Sequence, residues 1–204
     1  MPTKQATTIT RLSRVLPYIL IVAGAIALIC SYIIMQDKLH LLANPNYRPS
    51  CDLNPVVSCG SVMASPEGSA FGFPNPIIGL AAFPVLITIG VAMLAGAKFK
   101  NWFWRGLDAG LLVAVVFIHW LFVESVYHIH ALCPYCIIVW VMTITTLWYV
   151  TVYCLREGYL PTPARLSGIV RFIQRYHLEI LICWFLIILA LILQHFWYYY
   201  GKYL

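Results

Sequence analysis

Apolar positions gather into five long stretches along the chain, at about residues 16–35, 76–96, 106–127, 133–155 and 179–199. A bilayer core about 30 Å thick takes about 20 apolar residues as a helix, so each stretch predicts a membrane span. The first reads as a retained helix and not a cleaved leader. Its apolar run exceeds the usual length of about 7–15 residues, and no small-x-small site precedes the polar Gln36, Asp37 and Lys38. The last stretch ends in Phe196, Trp197, Tyr198, Tyr199 and Tyr200, an aromatic cluster suited to a membrane–water boundary. Between the fourth and fifth spans, residues 158–163 carry two prolines and read as a connector. Residues 166–176 place Leu166, Ile169, Val170 and Ile173 at helical spacing among Arg165, Arg171 and Arg175, the pattern of a helix lying on lipid headgroups.

Composition agrees. Of 204 residues, 62% are hydrophobic and 10% charged, against roughly 45–50% and 25% in soluble domains. Such a chain cannot cover a water-facing exterior, which excludes a soluble enzyme, a disordered tail and a nucleic-acid module. The net charge of +6 therefore has to be read by position. With the N-terminus in the cytoplasm, Lys4, Arg11, Arg14, Lys98, Lys100, Arg105, Arg156, Arg165, Arg171 and Arg175 fall on that side. Only Lys38, Arg48 and Lys202 fall on the other, the bias of a multi-pass protein of the cell membrane. The long loop at about residues 36–75, the short turn after the third span and the C-terminus then lie outside the cytoplasm. No internal repeat or low-complexity tract is visible.

Seven cysteines carry the candidate chemistry. Cys51 and Cys59 sit in the long outer loop, and Cys133-Pro134-Tyr135-Cys136 opens the fourth span on the same side. Cys30, Cys154 and Cys183 lie in or near spans with no sequence-near partner and read as small hydrophobes. Two pairs facing an oxidising compartment point to disulfide chemistry. A static loop staple and a zinc site are the other readings, although the seven-residue gap between Cys51 and Cys59 exceeds zinc-knuckle spacing. A Cys-x-x-Cys at a helix start sets its first sulfur beside unpaired backbone N–H groups and the positive end of the helix dipole, which favours the thiolate. Pro134 suits the first helical turn. Cys136, one turn inward on the same face, falls at the outer edge of the apolar layer, where a thiol can pass electrons to a lipid-soluble quinone.

These features together resemble the bacterial, disulfide-forming form of the vitamin K epoxide reductase family. The likeness covers about residues 16–155. It rests on the spaced loop pair, Ser65 six positions after Cys59, the Asn75-Pro-Ile-Ile-Gly79 opening of the second span, and the membrane Cys-x-x-Cys. The resemblance implies an all-α integral membrane fold: a four-helix transmembrane bundle around a quinone, an outer loop carrying a short helix near residues 59–65, and a fifth transmembrane helix packed outside. The 204 residues would form a single membrane domain. It implies that Cys51 exchanges with a partner thiol and pairs with Cys59. Cys59 then attacks Cys133 of a Cys133–Cys136 disulfide, and Cys136 is freed to reduce the quinone, menaquinone or ubiquinone. The partner would be a separate extracytoplasmic thioredoxin-like (DsbA-like) protein, and no metal is implied.

By the same resemblance, Asn75 would hydrogen-bond a quinone carbonyl; read from the residues alone, Asn before Pro76 is also a helix cap. Trp140 stands where the epoxide-reducing form has a tyrosine. An indole can stack on a quinone ring but offers an N–H in place of a hydroxyl, which favours quinone reduction over epoxide reduction. Ser65 either joins the quinone contacts or caps and ends the loop helix. Phe71 completes the candidate quinone contacts and, with Phe73, also reads as lid packing. A DsbB-type quinone reductase places its Cys-x-x-Cys ahead of the other pair, the reverse of the order here, and a transporter would need broken helices or inverted repeats.

Ionisable residues at membrane depth are functional candidates. Glu124 and His128, four apart, predict a self-satisfied pair or a proton route, and His119 predicts a histidine bonded to a neighbour. Asp108 lies within reach of Arg105. His195 and His40 carry no argument.

Overall fold

A computed structural model describes residues 4–44 and 46–201; Lys202, assigned above to the outer side, lies outside them. The chain is all-α, with no strand among the described residues, and is a multi-pass membrane protein. The long helices are α1 (Lys4–Ala43), α3 (Pro76–Leu94), α4 (Asn101–Val123, continued by a π-helical turn to Ile129), α5 (Pro134–Arg156) and α7 (His177–Tyr200). Short helices α2 (Cys59–Ala64) and α6 (Ser167–Arg175) lie between them. Among the described residues, five helices are long and apolar enough to cross a membrane.

The first helix departs from expectation. The polar residues after Met35 predict a loop, yet α1 continues to Ala43. Residues 36–43 contain no glycine or proline, and the helix ends where Asn44 meets Pro45, because a residue before proline disfavours helical geometry. The extension carries Asp37 and Lys38 onto the helix, where the Lys38 ammonium donates to the Met63 carbonyl of α2.

Helices α1 and α3 meet closely near Pro17, Gly24 and Ser31, two turns apart along α1, with a glycine at each contact. A methyl group at Gly24 would fall 2.9 Å from Ile87, at Gly79 would collide with the Ser31 hydroxyl, and at Gly90 would fall 2.7 Å from the Pro17 carbonyl. Small side chains let backbones approach closely where lipid supplies no hydrophobic drive between helices. Helix α1 also packs on α5, and α5 on α4. Helices α3 and α4 stand apart, and the space between them becomes a cavity.

Helix α7 lies outside this bundle against α5 and the π-helical turn. The Trp184 indole donates to His119 Nε2 at 3.1 Å, and His119 Nδ1 lies 2.8 Å from the Val115 carbonyl, so the ring is held by a partner at each nitrogen. The Trp148 indole donates to the His177 carbonyl, 2.7 Å. His195, given no role from sequence, meets His130 with its ring nitrogens 2.9 Å apart. Of the terminal aromatic cluster, Phe196 is wholly buried, while Trp197 and Tyr198 are exposed as an interfacial belt requires. Asp108 accepts from Thr151, 2.6 Å away, and Arg105 turns instead to the Tyr159 carbonyl. Helix α6 buries none of its residues, as a helix lying on a surface should.

Candidate active site

The site is built where the outer loop closes on the start of α5. Asn54 initiates a turn by accepting from the Val56 and Val57 N–H groups at 2.9 and 2.8 Å. The turn lays residues 56–58 parallel to Leu132: the Leu132 N–H donates to the Val56 carbonyl at 2.7 Å and the Ser58 N–H to the Leu132 carbonyl at 3.1 Å. This two-bond clasp joins the residue before Cys59 to the residue before Cys133.

Helix α2 then starts at Cys59. The Ser58 hydroxyl caps it by accepting from the Ser61 N–H, 3.1 Å, and one Asp52 oxygen accepts from the Gly60 N–H at 2.8 Å and the Ser58 hydroxyl at 3.1 Å. An acid at a helix N-terminus and a serine cap both satisfy otherwise unpaired N–H groups. Neither Asp52 nor the clasp was singled out from sequence. The Asp52-to-Gly60 bond has a local signal, a carboxylate placed just ahead of a short helix; the clasp has none.

All four candidate cysteines come together. Cys51, Cys59 and Cys133 share one buried cluster with Ile34 and Met63, at 7%, 0% and 1% exposure, and Cys136 packs against it. Cys51 and Cys59 are joined as a disulfide, while Cys133 and Cys136 carry free thiols. The disulfide takes up two of the four sulfurs that a zinc reading requires.

Cys133 caps α5 with its own sulfur, which accepts from the Cys136 N–H at 3.4 Å. Its thiol is held below the ordinary value, first by the hydrogen bond from the Cys136 side chain and then by the Cys136 and Tyr135 N–H groups. Burial and the nearby Asp37 charge oppose this. Reduced protein is therefore expected to react with iodoacetamide at Cys133 with a pH midpoint below that of a free thiol. A Cys136→Ala change, which removes the leading cause, should move the midpoint upward; mass spectrometry of the alkylated peptide against pH reads both.

Cys136 also faces inward. It lines a cavity of about 470 Å³ between α3 and α4, whose walls include Phe83, Leu86, Ile118 and Trp140. Ser65 and Asn75 line it from the loop end. Ser65 both ends α2 and starts the next turn, donating to the Val62 carbonyl at 3.0 Å and accepting from the Gly68 N–H at 3.3 Å. Asn75 does not cap α3. Its backbone is itself helical, so its amide is directed back to the loop, donating to the Glu67 carbonyl at 2.6 Å and accepting from the Ala70 N–H at 3.1 Å. Trp140 is buried edge-on against Phe122. Phe71 is exposed and is not among the lining residues; it stacks on Phe73 and tilts against Phe117, which does line the cavity. Glu124 and His128 pair with each other at 2.6 Å.

The donor set suits a quinone: a largely apolar slot of suitable size, polar side chains such as Asn75 and Ser65 near its loop end, and a thiol in its wall. A model of the vitamin K epoxide reductase family matches residues 18–151.

Proposed function

The chain belongs to the vitamin K epoxide reductase family, a membrane oxidoreductase family, and from that premise we propose that it is a thiol–quinone oxidoreductase that forms disulfide bonds. Its dithiol substrate would be a thioredoxin-like protein outside the cytoplasm, with the N-terminus and ten of the thirteen lysines and arginines on the cytoplasmic side. The observation that carries this reading is the continuity of sulfur from the surface loop to the cavity: Cys51 and Cys59 bonded, Cys133 in the same cluster, Cys136 in the cavity wall.

Cys51 receives the partner's attacking thiolate and transfers the electrons to Cys59. Cys59 attacks Cys133, and Cys136 is released as the thiol that faces the cavity. Each transfer is thiolate attack through a mixed disulfide, so alignment and thiolate fraction set its rate. The low-lying Cys133 thiol is also the better leaving group when Cys51 attacks the Cys59–Cys133 bond and the loop pair is re-formed. Asn75 and Trp140 orient the quinone ring, and Ser65 and Phe71 close the loop over it. The quinone supplies an acceptor for two electrons and two protons. A bonded loop pair beside a reduced helix pair is the arrangement expected after the loop has handed its electrons inward.

The test is anaerobic. Purified protein is mixed with a reduced thioredoxin-like protein and, in separate arms, menaquinone, ubiquinone or vitamin K epoxide, and absorbance follows each acceptor. Reduction of at least one quinone with matching partner oxidation is expected. Consumption of the epoxide alone would replace this reading with epoxide reduction, and no reduction in any arm would end it.

A further inference from the structure

The buried face of α1 runs Ala23, Ala27, Cys30 and Ile34, at intervals of three and four, and ends on Asp37. Helical periodicity calls for an apolar side chain there; a carboxylate, 8% exposed, occupies it instead. One turn inward on the same face, Ile34 packs in the cluster of Cys51, Cys59 and Cys133. The Tyr47 hydroxyl donates to Asp37 Oδ1 at 2.8 Å, and Oδ2 is buried with no hydrogen-bond partner. Lys38 does not neutralise the acid, because its ammonium is turned to the Met63 carbonyl. A buried carboxylate left half satisfied lowers stability, and its position beside the sulfurs offers a chemical reason to keep it.

Asp37 lies on the helix face between Ile34, which sits in the cluster of Cys51, Cys59 and Cys133, and Leu41, which packs against it. Tyr47 from the loop meets it directly, and its charge is felt at Cys133 of the cluster. We propose that Asp37 is the proton acceptor for thiol–disulfide exchange between the loop pair and the helix pair, an assignment that rests on the thiol–quinone reading. Cys59 leaves the loop pair as thiolate when Cys51 is attacked and takes up a proton from water at neutral pH. As its sulfur attacks Cys133, that proton passes to Asp37 Oδ2. A Cys59–Cys133 bond forms, the Cys133–Cys136 bond breaks, and Cys136 leaves as thiolate with the electron pair. Neutral Asp37 no longer opposes negative charge at Cys133, and Tyr47, only half-buried, borders the route by which the proton returns to water.

The full-length protein, oxidised at both pairs with excess quinone and freed of it, is mixed with dithiothreitol. Samples are acid-quenched and alkylated, and mass spectrometry follows the appearance of the Cys136 thiol. Asp37→Asn is expected to slow this step about 10²-fold at neutral pH. The deficit should shrink as pH rises past the ordinary thiol value of about 8.5, where the thiol ionises unaided; Asp37→Glu should restore most of the rate. An unchanged rate, or a loss equal at every pH, overturns the assignment. If Asp37→Asn does not elute as folded protein, Tyr47→Phe decides. Losing the hydroxyl that holds Oδ1 in place should slow the step several-fold at neutral pH and leave it unchanged at high pH, and a rate equal to wild type at every pH refutes the proposal. Failure of the wild type to show any Cys136 thiol would instead remove the thiol–quinone reading itself.

Discussion

Cys136→Ser is expected to reduce quinone turnover to background, a fall of at least about 10³-fold, while the protein stays folded. Serine fills nearly the same space but forms no disulfide, so the helix pair cannot be re-formed. Cys59 can still reach Cys133, since the clasp between residues 56–58 and Leu132 uses no sulfur. The electrons then have no thiol in the cavity wall to leave from, and Cys133 should attack the Cys51–Cys59 disulfide at Cys59, so that a Cys59–Cys133 bond accumulates while Cys51 is released as a thiol. Peptide mapping under non-reducing conditions shows this bond directly. Cys183→Ser, at an exposed position on α7, is the control and should turn over normally. Wild-type turnover in Cys136→Ser would mean that the cavity is served by another group.

The largest expected loss of stability comes from Gly90. A Cβ there falls 2.7 Å from the Pro17 carbonyl, which is backbone, and 2.7 Å from Ile21. At Gly24 and Gly79 the nearest atoms belong to side chains that can turn aside. Overpacking costs about 1–3 kcal/mol when neighbours can partly yield, so Gly90→Ala should lower the melting temperature measurably and Gly90→Leu should leave little folded protein. Gly168→Ala, with open space around it, should be neutral or slightly stabilising. Detergent-solubilised melting followed by size exclusion measures all three. Equal melting of Gly90→Leu and wild type would show that α1 and α3 do not depend on this close approach.

The spans were legible because lipid leaves a chain few options: an apolar run of sufficient length has to be a helix. That the loop pair and the helix pair meet at one end of the bundle was legible too, since the order of spans and cysteines is a linear feature. Residues 36–43 were misread because polar residues usually mark the end of a span, whereas a helix ends only where its backbone geometry is refused. Asn75 was expected to cap α3, yet its amide holds the Glu67–Ala70 turn, a choice set by loop geometry. The clasp had no signature at all, because main-chain hydrogen bonds between segments more than seventy residues apart depend on no particular side chain. Asp37 was visible as a residue but not as a buried one until α1 proved longer than its apolar run. His195 gained a partner only when α7 was placed beside the turn ending at His130.

The clasp divides the loop into two mechanical parts. Residues 56–58 are fastened to the root of α5, but the stretch ahead of them, which carries Cys51, is not. Cys51 is itself sheltered at rest, so on the proposed reading a partner thiol would have to peel back the leading half to touch it. The trailing half keeps Cys59 aimed at its target meanwhile. The front is joined to the rear by Asp52, through Gly60 and Ser58, and by the disulfide itself, so opening it would break those links while the clasp to Leu132 stays closed.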